Sequence, residues 1–396
     1  MREHIAVVDL GYGDAGKGTV VDALCASAPV RAVLRFNGGA QAGHNVVTPD
    51  GRHHTFAQFG SGTFHGVPTH LTRFMVVDPL ALAAEAAALG NPFHLLTVDA
   101  EALLATPWHR AANQARERAR GRDRHGSCGM GIGETMAYAD RYGDPLKVGD
   151  VRSPRLAEKL ALIRDRLKVD GPPIDDVVAA FRAFADRVPI VDSSYVDGLL
   201  ASGPCVFEGA QGVLLDEWRG WHPYTTWSTT TFDNVLALTD EVVKLGVVRT
   251  YTTRHGAGPF VTAADLPLPE KHNGVGEWQG SFRVGHFDAV AHRYAVEVAG
   301  GVDALAVTHL DAVVPAMRIC QAYEVDGARW DRIVPGPFRD LGYQAGLTAM
   351  LSRARPAELS RPDDWAAEIS AQLGAPVAMS SFGPTTADKR ISALIG

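Results

Sequence analysis

The chain has 396 residues, 46% of them hydrophobic, and a formal net charge of −7. This composition marks a globular protein long enough for one large or two ordinary domains, each with a proper buried core. The acidic balance argues against a general nucleic-acid binder, which needs surplus Lys and Arg, so any phosphate site must be local.

Residues 5–10 form a short β-rich run, 11–18 a glycine loop, 19–27 a helix and 31–36 a second strand, which together make a β-loop-α-β unit. Asp78 is placed to cap a helix over the alanine-rich residues 79–89. Another helix is expected over 102–120, running into the basic stretch 116–124 as a solvated end. The glycine-rich residues 126–133 follow as an ordered or ligand-ordered loop. Apolar positions at helical spacing predict a helical insertion at about 153–200, and strand-like runs return at 205–208, 247–252, 304–308 and 376–379. Strands alternating with helices predict an α/β fold: a mainly parallel central sheet covered on both faces, with ligands beyond the strands' carboxyl ends. No repeat, low-complexity tract or linker divides residues 1–396, so a single elaborated domain is expected.

Cys25, Cys128, Cys205 and Cys320 show no paired or metal-like spacing, which favours a reducing compartment. A short charged start leads directly into a strand-like run, without the apolar core and cleavage site of a signal peptide. No stretch of about eighteen uninterrupted apolar residues occurs. A cytoplasmic protein with no membrane and no nucleic-acid partner is expected.

The strongest local signal is GYGDAGKG at 11–18, between a strand and a helix, with the G-x-x-x-x-G-K spacing of a phosphate loop. Backbone N–H groups of Gly13, Ala15, Gly16 and Gly18 and the helix N-terminus suit polyphosphate, and Lys17 supplies a point charge. Gly18 stands where such loops carry a Mg²⁺-holding hydroxyl, so the metal needs another oxygen. Asp14 is the candidate, either as that ligand or as a base. A second cluster, NGGAQAGHN at 37–45, adds Gln41, His44 and Asn45 as neutral hydrogen-bonding groups, with His44 a candidate general acid or oxyanion stabiliser.

These two motifs resemble the opening of the adenylosuccinate synthetase family, and later segments match in order. FEGAQG at 207–212 followed by LLD looks like the family's FEGAQG-x-LLD, and Pro223, Tyr224 and Thr226 continue it. YTTRHGAGP at 251–259 is similar to YSTRVGAGP, THLD at 308–311 to TKLD, and SFGP at 381–384 to STGP. The resemblance implies a two-step reaction. A base removes the N1 proton of IMP while its 6-oxygen takes the γ-phosphoryl of GTP, and the amine of L-aspartate then displaces phosphate. By position Asp14 is the base, His44 stabilises the phosphoryl, Lys17 and Gln211 assist, and Asp14 with Gly43 holds Mg²⁺. The donor nucleotide falls to the loop together with Gly43, His44, Asn45, His309, Asp311, Ser381 and Gly383. The acceptor and amine fall to Gln41, Ser127, Cys128, Gln211, Thr226, Arg254 and Arg283. Asp311 would read the guanine edge through two acceptor oxygens, and a homodimer is implied.

Four departures bear on the ligands. Cys128 and Met130 replace a Thr and an Arg of GTTGRGIG; the Arg after AYEDKVA has no match at the end of AYADRYGD (137–144). In WQGSFRVG (278–285), set against the family's aspartate loop TTGRRRRTG, only Arg283 remains as a cation. His309 replaces the Lys of TKLD, which leaves ATP open beside GTP. IMP and aspartate lead. The alternatives are a paralogue acting on GMP, dGMP or a nucleoside analogue, or using another amine, and a nucleotide-binding sensor without catalysis.

Overall fold

The computed structural model describes residues 3–121, 127–268, 278 and 280–392. Ten strands build the central sheet: β1 (His4–Asp9), β2 (Val33–Arg35), β3 (Thr69–Leu71), β4 (Leu96–Asp99), β5 (Ile190–Val191), β6 (Val206–Gly212), β7 (Val242–Arg249), β8 (Ala304–Thr308), β9 (Val377–Ser381) and β10 (Lys389–Ile391). They lie in the order β10-β9-β8-β7-β1-β6-β2-β3-β4-β5, and every pairing is parallel except the edge pair β9-β10. The chain order reverses about β1, which puts the switch point, and the crevice beyond it, at the end of the first strand.

β1 shows why both faces are covered. Ala6 and Val8 enter the core on one side, with Leu34, Phe207, Val290, Tyr294 and Ile369; Ile5 and Val7 enter the core on the other, with Val20, Val21, Leu24 and Val206. Successive strand residues point to opposite faces, so an apolar residue at every position demands cover on both. Helix Lys17–Ser27 supplies it on one face, and helices Ala289–Val298 and Trp365–Leu373 on the other. A further core gathers Leu71, Val98, Trp108, Leu160 and Phe181 beside β3 and β4.

The sheet is the mainly parallel α/β sheet expected, but several elements differ in extent. The helix expected over 102–120 is Pro107–Arg120, because Thr106 caps it, accepting from the His109 N–H, and Pro107 fits the first turn. Leu103–Leu104 before it is a short strand paired with Val76–Val77. The run 247–252 divides: β7 ends at Arg249, and Thr252–His255 pairs antiparallel with Phe282–Gly285. Helices Leu156–Leu167, Ile174–Arg187 and Tyr195–Ala201 occupy the stretch 153–200, interrupted by edge strand β5. A second sheet, built around Ile319–Val325, pairs with Ala328–Trp330 and Arg355–Ser360. Gly126, Gln279 and the basic residues Arg122 and Arg124 lie outside the described residues. Among the described residues no helix is long and apolar enough to cross a membrane, and all four cysteines are free.

Among the buried histidines, His70 and His109 contribute to the acid response of the fold. Burial takes His70 down to about 4 and His109 down to about 3. Between those values and 6.5 the unfolded chain binds protons that the native chain does not, so stability falls as pH drops from 6.5. Going from pH 7 to pH 5, these two groups together are expected to remove about 4 kcal/mol. Urea unfolding at the two pH values gives the total loss, and His70→Leu, which cannot titrate, should shrink it by about 2 kcal/mol.

Candidate active site

The loop at the end of β1 closes on its own carboxylate. Asp9, fully buried, accepts from the N–H groups of Gly11 (2.7 Å), Gly13 (3.2 Å) and Ala15 (2.7 Å). Gly16 then caps the helix at a φ of 93°, a left-handed conformation that glycine adopts without strain. Lys17 is 2% exposed, and its ammonium donates to Gly13 O (2.9 Å) and Gln211 O (2.7 Å) and lies 3.5 Å from Asp9. Its charge is therefore spent inward, tying the loop to the end of β6. The closeness of this tie has a measurable consequence at Gly212. A Cβ there meets Gly11 O at 2.4 Å, Gly13 N at 2.5 Å and Asp9 Oδ1 at 2.8 Å, so Gly212→Ala must push the loop off β6. The expected loss is about 2 kcal/mol of stability together with donor-nucleotide binding, read by thermal melting and nucleotide titration.

Across the cavity the second glycine cluster delivers His44. Its Nδ1–H donates to Glu208 Oε1 (2.6 Å), and Glu208 also accepts from the Ser61 N–H (2.9 Å) and the Ser61 hydroxyl. Burial raises the Glu208 carboxyl, but Arg35, His44 and Ser61 outweigh it and bring it down to about 2. Burial takes His44 down to about 4 against the pull of Glu208. The pair at neutral pH is thus a carboxylate and a neutral imidazole with Nδ1 protonated, which fixes the ring and leaves Nε2 for a ligand.

A cavity of about 960 Å³ joins these parts, its wall including Gly13, Asp14, Gln41, Gly43, His44, Asn45, Ser127, Cys128, Gln211, Thr226 and Arg254. Gln41 Nε2 and Oε1 and Gln211 Oε1 are buried with no hydrogen-bond partner among the described residues. Gln211 also holds a φ of 55°, unusual outside glycine. Buried amides left open in a cavity mark groups that a polar ligand satisfies. Asp14 is 31% exposed, with Arg249 Nη1 at 3.7 Å and His255 Nε2 at 3.9 Å.

Other expected ligand groups are already engaged. The Ser127 hydroxyl donates to Asn113 Oδ1 (3.1 Å) and accepts from Asn113 Nδ2 (2.9 Å), and burial pushes the Cys128 thiol up to about 11, so it stays uncharged. Arg254 donates to the carbonyls of Ala257, Pro259 and Tyr224, and Arg283 to those of Gly256 and Gly258. Both guanidiniums brace the 256–259 turn.

The remaining predicted residues cluster at the ends of β8 and β9. Burial, Arg249 and Lys389 drive His309 well below its ordinary value, and its Nε2 accepts from Arg249 Nη2 at 2.9 Å. Asp311 is exposed two residues on, and Ser381 Oγ donates to Gly383 O (3.1 Å). This end meets the phosphate loop through Thr308, whose hydroxyl donates to Ala15 O (2.7 Å), and Thr19, whose hydroxyl donates to Pro384 O (2.9 Å).

Sequence reasoning missed Asp9, Glu208, Arg249, His255 and Lys389. Glu208 and His255 sat inside strings already singled out, and His255 stands where the related string has Val. Arg249 and Lys389 carried no local signal. Lys389, pushed down to about 8 by burial, donates to Gly383 O (2.6 Å) and Thr385 O (2.9 Å).

Among the described residues no group of three His, Cys, Asp or Glu could hold a metal ion by itself. Asp14, a partly exposed carboxylate, and Gly43 line the same cavity, and a carboxylate with a backbone carbonyl is the kind of donor set that suits Mg²⁺, which takes one or two protein oxygens and completes its shell from phosphates and water.

A phosphate loop at a switch point, a fixed imidazole and a partly exposed carboxylate on one nucleotide-sized cavity define a nucleotide-dependent α/β enzyme. A family model for adenylosuccinate synthetase matches residues 6–389. The adenylosuccinate synthetase of Synechococcus sp. (strain WH7803) is 36% identical over 367 residues, covering 82% of this chain and 80% of the relative. That of Myxococcus xanthus (strain DK1622) is 33% identical, covering 85% and 84%. Among solved structures, the fully ligated adenylosuccinate synthetase of Plasmodium falciparum superposes with a TM-score of 0.83 at 20% identity, covering 98% of this chain and all of that one. The succinoaminodeoxyadenylate synthetase of cyanophage S-2L, bound to dGMP and dATP as an energy donor, gives 0.65 at 19%, covering 99% and 95%. These two show the shared fold. The chain belongs to the adenylosuccinate synthetase family, whose members are ligases that form carbon–nitrogen bonds.

Proposed function

We propose that the chain phosphorylates the 6-oxo group of a purine nucleotide, IMP foremost, with GTP, and displaces the phosphate with an amine; with L-aspartate the product is adenylosuccinate. The observation that carries this reading is the placement of Asp14 and His44 on the wall of one cavity at the phosphate loop. Oxide is a very poor leaving group from C6, and phosphorylation converts it into a good one. Asp14 takes the N1 proton as the 6-oxygen attacks the γ-phosphoryl, and His44 Nε2, oriented by Glu208, faces the charge on that group. Gln41 and Gln211 offer their open amides to the acceptor. Mg²⁺, when bound by Asp14 and Gly43, supplies neutralisation of the donor's phosphate charge. Positioning and charge neutralisation are the main demands of phosphoryl transfer. Asp311, exposed beyond β8, is the group for the guanine edge of GTP.

A second reading, a paralogue using GMP, dGMP, a nucleoside analogue, ATP or another amine, draws support from ligand groups turned to internal duty. Ser127 is bonded to Asn113, Arg283 to backbone carbonyls, and His309 to Arg249. The net charge of −7 supports small nucleotides as partners over nucleic acid. A homodimer in the cytoplasm completes the proposal, and sedimentation tests its first half.

The test crosses GTP and ATP with IMP, GMP and dGMP, with Mg²⁺, with and without L-aspartate, following phosphate release and product mass. Aspartate-dependent release with IMP and formation of adenylosuccinate supports the first reading. Release only with GMP or dGMP moves the chain to the second, and silence with L-aspartate and every acceptor overturns the reading with L-aspartate as the amine.

A further inference from the structure

We infer that Thr55 and His53 are positioning residues for the donor's phosphates: they hold the Asn45 amide with its nitrogen end turned to the polyphosphate. The inference rests on the donor site proposed above at the phosphate loop, and not on the identity of the acceptor or the amine. Strand His44–Val47 pairs antiparallel with His53–Phe56, with Asn45 opposite Thr55 and His44 opposite Phe56. Successive strand residues point to opposite faces, so Asn45, Thr55 and His53 share one face while His44 leaves by the other to meet Glu208. All four residues line the cavity. A Cβ on Gly18 would meet His44 Cβ at 2.9 Å and Asn45 O at 3.0 Å, which sets this strand directly against the first turn of helix Lys17–Ser27. Asn45 therefore stands beside the loop amides and the helix N-terminus that suit polyphosphate.

Two donors turn the Asn45 amide. Thr55 Oγ1 donates to Asn45 Oδ1 at 2.6 Å, and His53 Nε2 lies 3.1 Å from the same oxygen. An amide oxygen only accepts, so the His53 ring carries a proton on Nε2, and both lone pairs of Oδ1 are taken. The end left for a ligand is Nδ2, with two N–H donors and, among the described residues, no hydrogen-bond partner. Ionised phosphate oxygens accept, so this is the end a polyphosphate requires; the reverse orientation would set Oδ1 against it. Thr55 also borders Gly43, where a Cβ would lie 3.6 Å from its Cγ2. Without the two bonds the amide would sample three χ1 wells and both orientations of its planar end, about six arrangements in all. Affinity would then fall by the inverse of the fraction correctly turned.

The purified full chain is titrated with GTP and with ATP, each with Mg²⁺ and without acceptor, which keeps binding apart from turnover. The tighter nucleotide is then used for the variants. Asn45→Leu is expected to weaken it about tenfold or more, the scale of one hydrogen bond to a charged group. Thr55→Val combined with His53→Ala is expected to weaken it up to about sixfold, and Thr55→Ser alone less than about twofold. In the Asn45→Leu background the Thr55→Val and His53→Ala pair is expected to have no further effect, because it acts through the amide alone. Thr55 and His53 are exposed and valine suits a strand, so the variants should fold, which melting curves check. Undiminished affinity in Asn45→Leu overturns the contact, and an equal loss from the pair with and without Asn45 overturns the positioning. Failure of both nucleotides to bind overturns the donor site and the inference together, whereas binding with no phosphate release from any acceptor overturns the reaction alone.

Discussion

Asp14→Asn is expected to lower turnover by about 10³-fold, within the range lost when a positioned general base is removed. The amide keeps the shape of the carboxylate but neither accepts the N1 proton nor offers an anionic oxygen to Mg²⁺. Donor binding should fall less than turnover, since the bonds that shape the loop from Gly11, Gly13 and Ala15 go to Asp9. Single-turnover assays and nucleotide titration separate the two effects. Undiminished turnover would remove Asp14 as the base.

Glu208→Ala should damage stability and rate together. Glu208 and Arg35 are both fully buried, and Arg35 already directs its Nη1 to the carbonyls of Ala57 and Phe59. Deleting the carboxylate leaves a buried cation uncompensated, which costs about 3–5 kcal/mol. It also frees His44 to rotate, and a reacting group displaced by about 1 Å loses about 10²-fold in rate. Urea unfolding gives the first number and kcat the second. Full stability in this variant would show that the Arg35 charge is balanced elsewhere.

The parts of this site that were legible in sequence are those whose chemistry is local. GYGDAGKG declares itself because a phosphate loop needs glycine and lysine at fixed offsets between a strand and a helix, and β1 and helix Lys17–Ser27 stand on either side of it. The strands at 205–208, 304–308 and 376–379 were readable as apolar runs closed by polar loops. Thr69–Leu71 and Ile190–Val191 were not, being too short for any periodicity to develop. Contacts made by register were equally hidden. Arg249 reaches Asp14 only because β7 lies beside β1, and His255 does so only because its strand folds back on Phe282–Gly285. Lys17 shows the complementary limit: its motif implies a cation for phosphate, and no spacing rule reveals that Gly13 O and Gln211 O absorb its donors.

The carboxylate of Asp9 gives the phosphate loop an internal counter-anion, and this bears on how a nucleotide is gained and lost. A loop shaped by its own side chain loses little conformational entropy when a polyphosphate arrives, so association is not delayed by an ordering step. Proteolytic cleavage within residues 10–16 should then be equally slow with and without the donor, and differences in donor affinity among loop variants should reside in residence time.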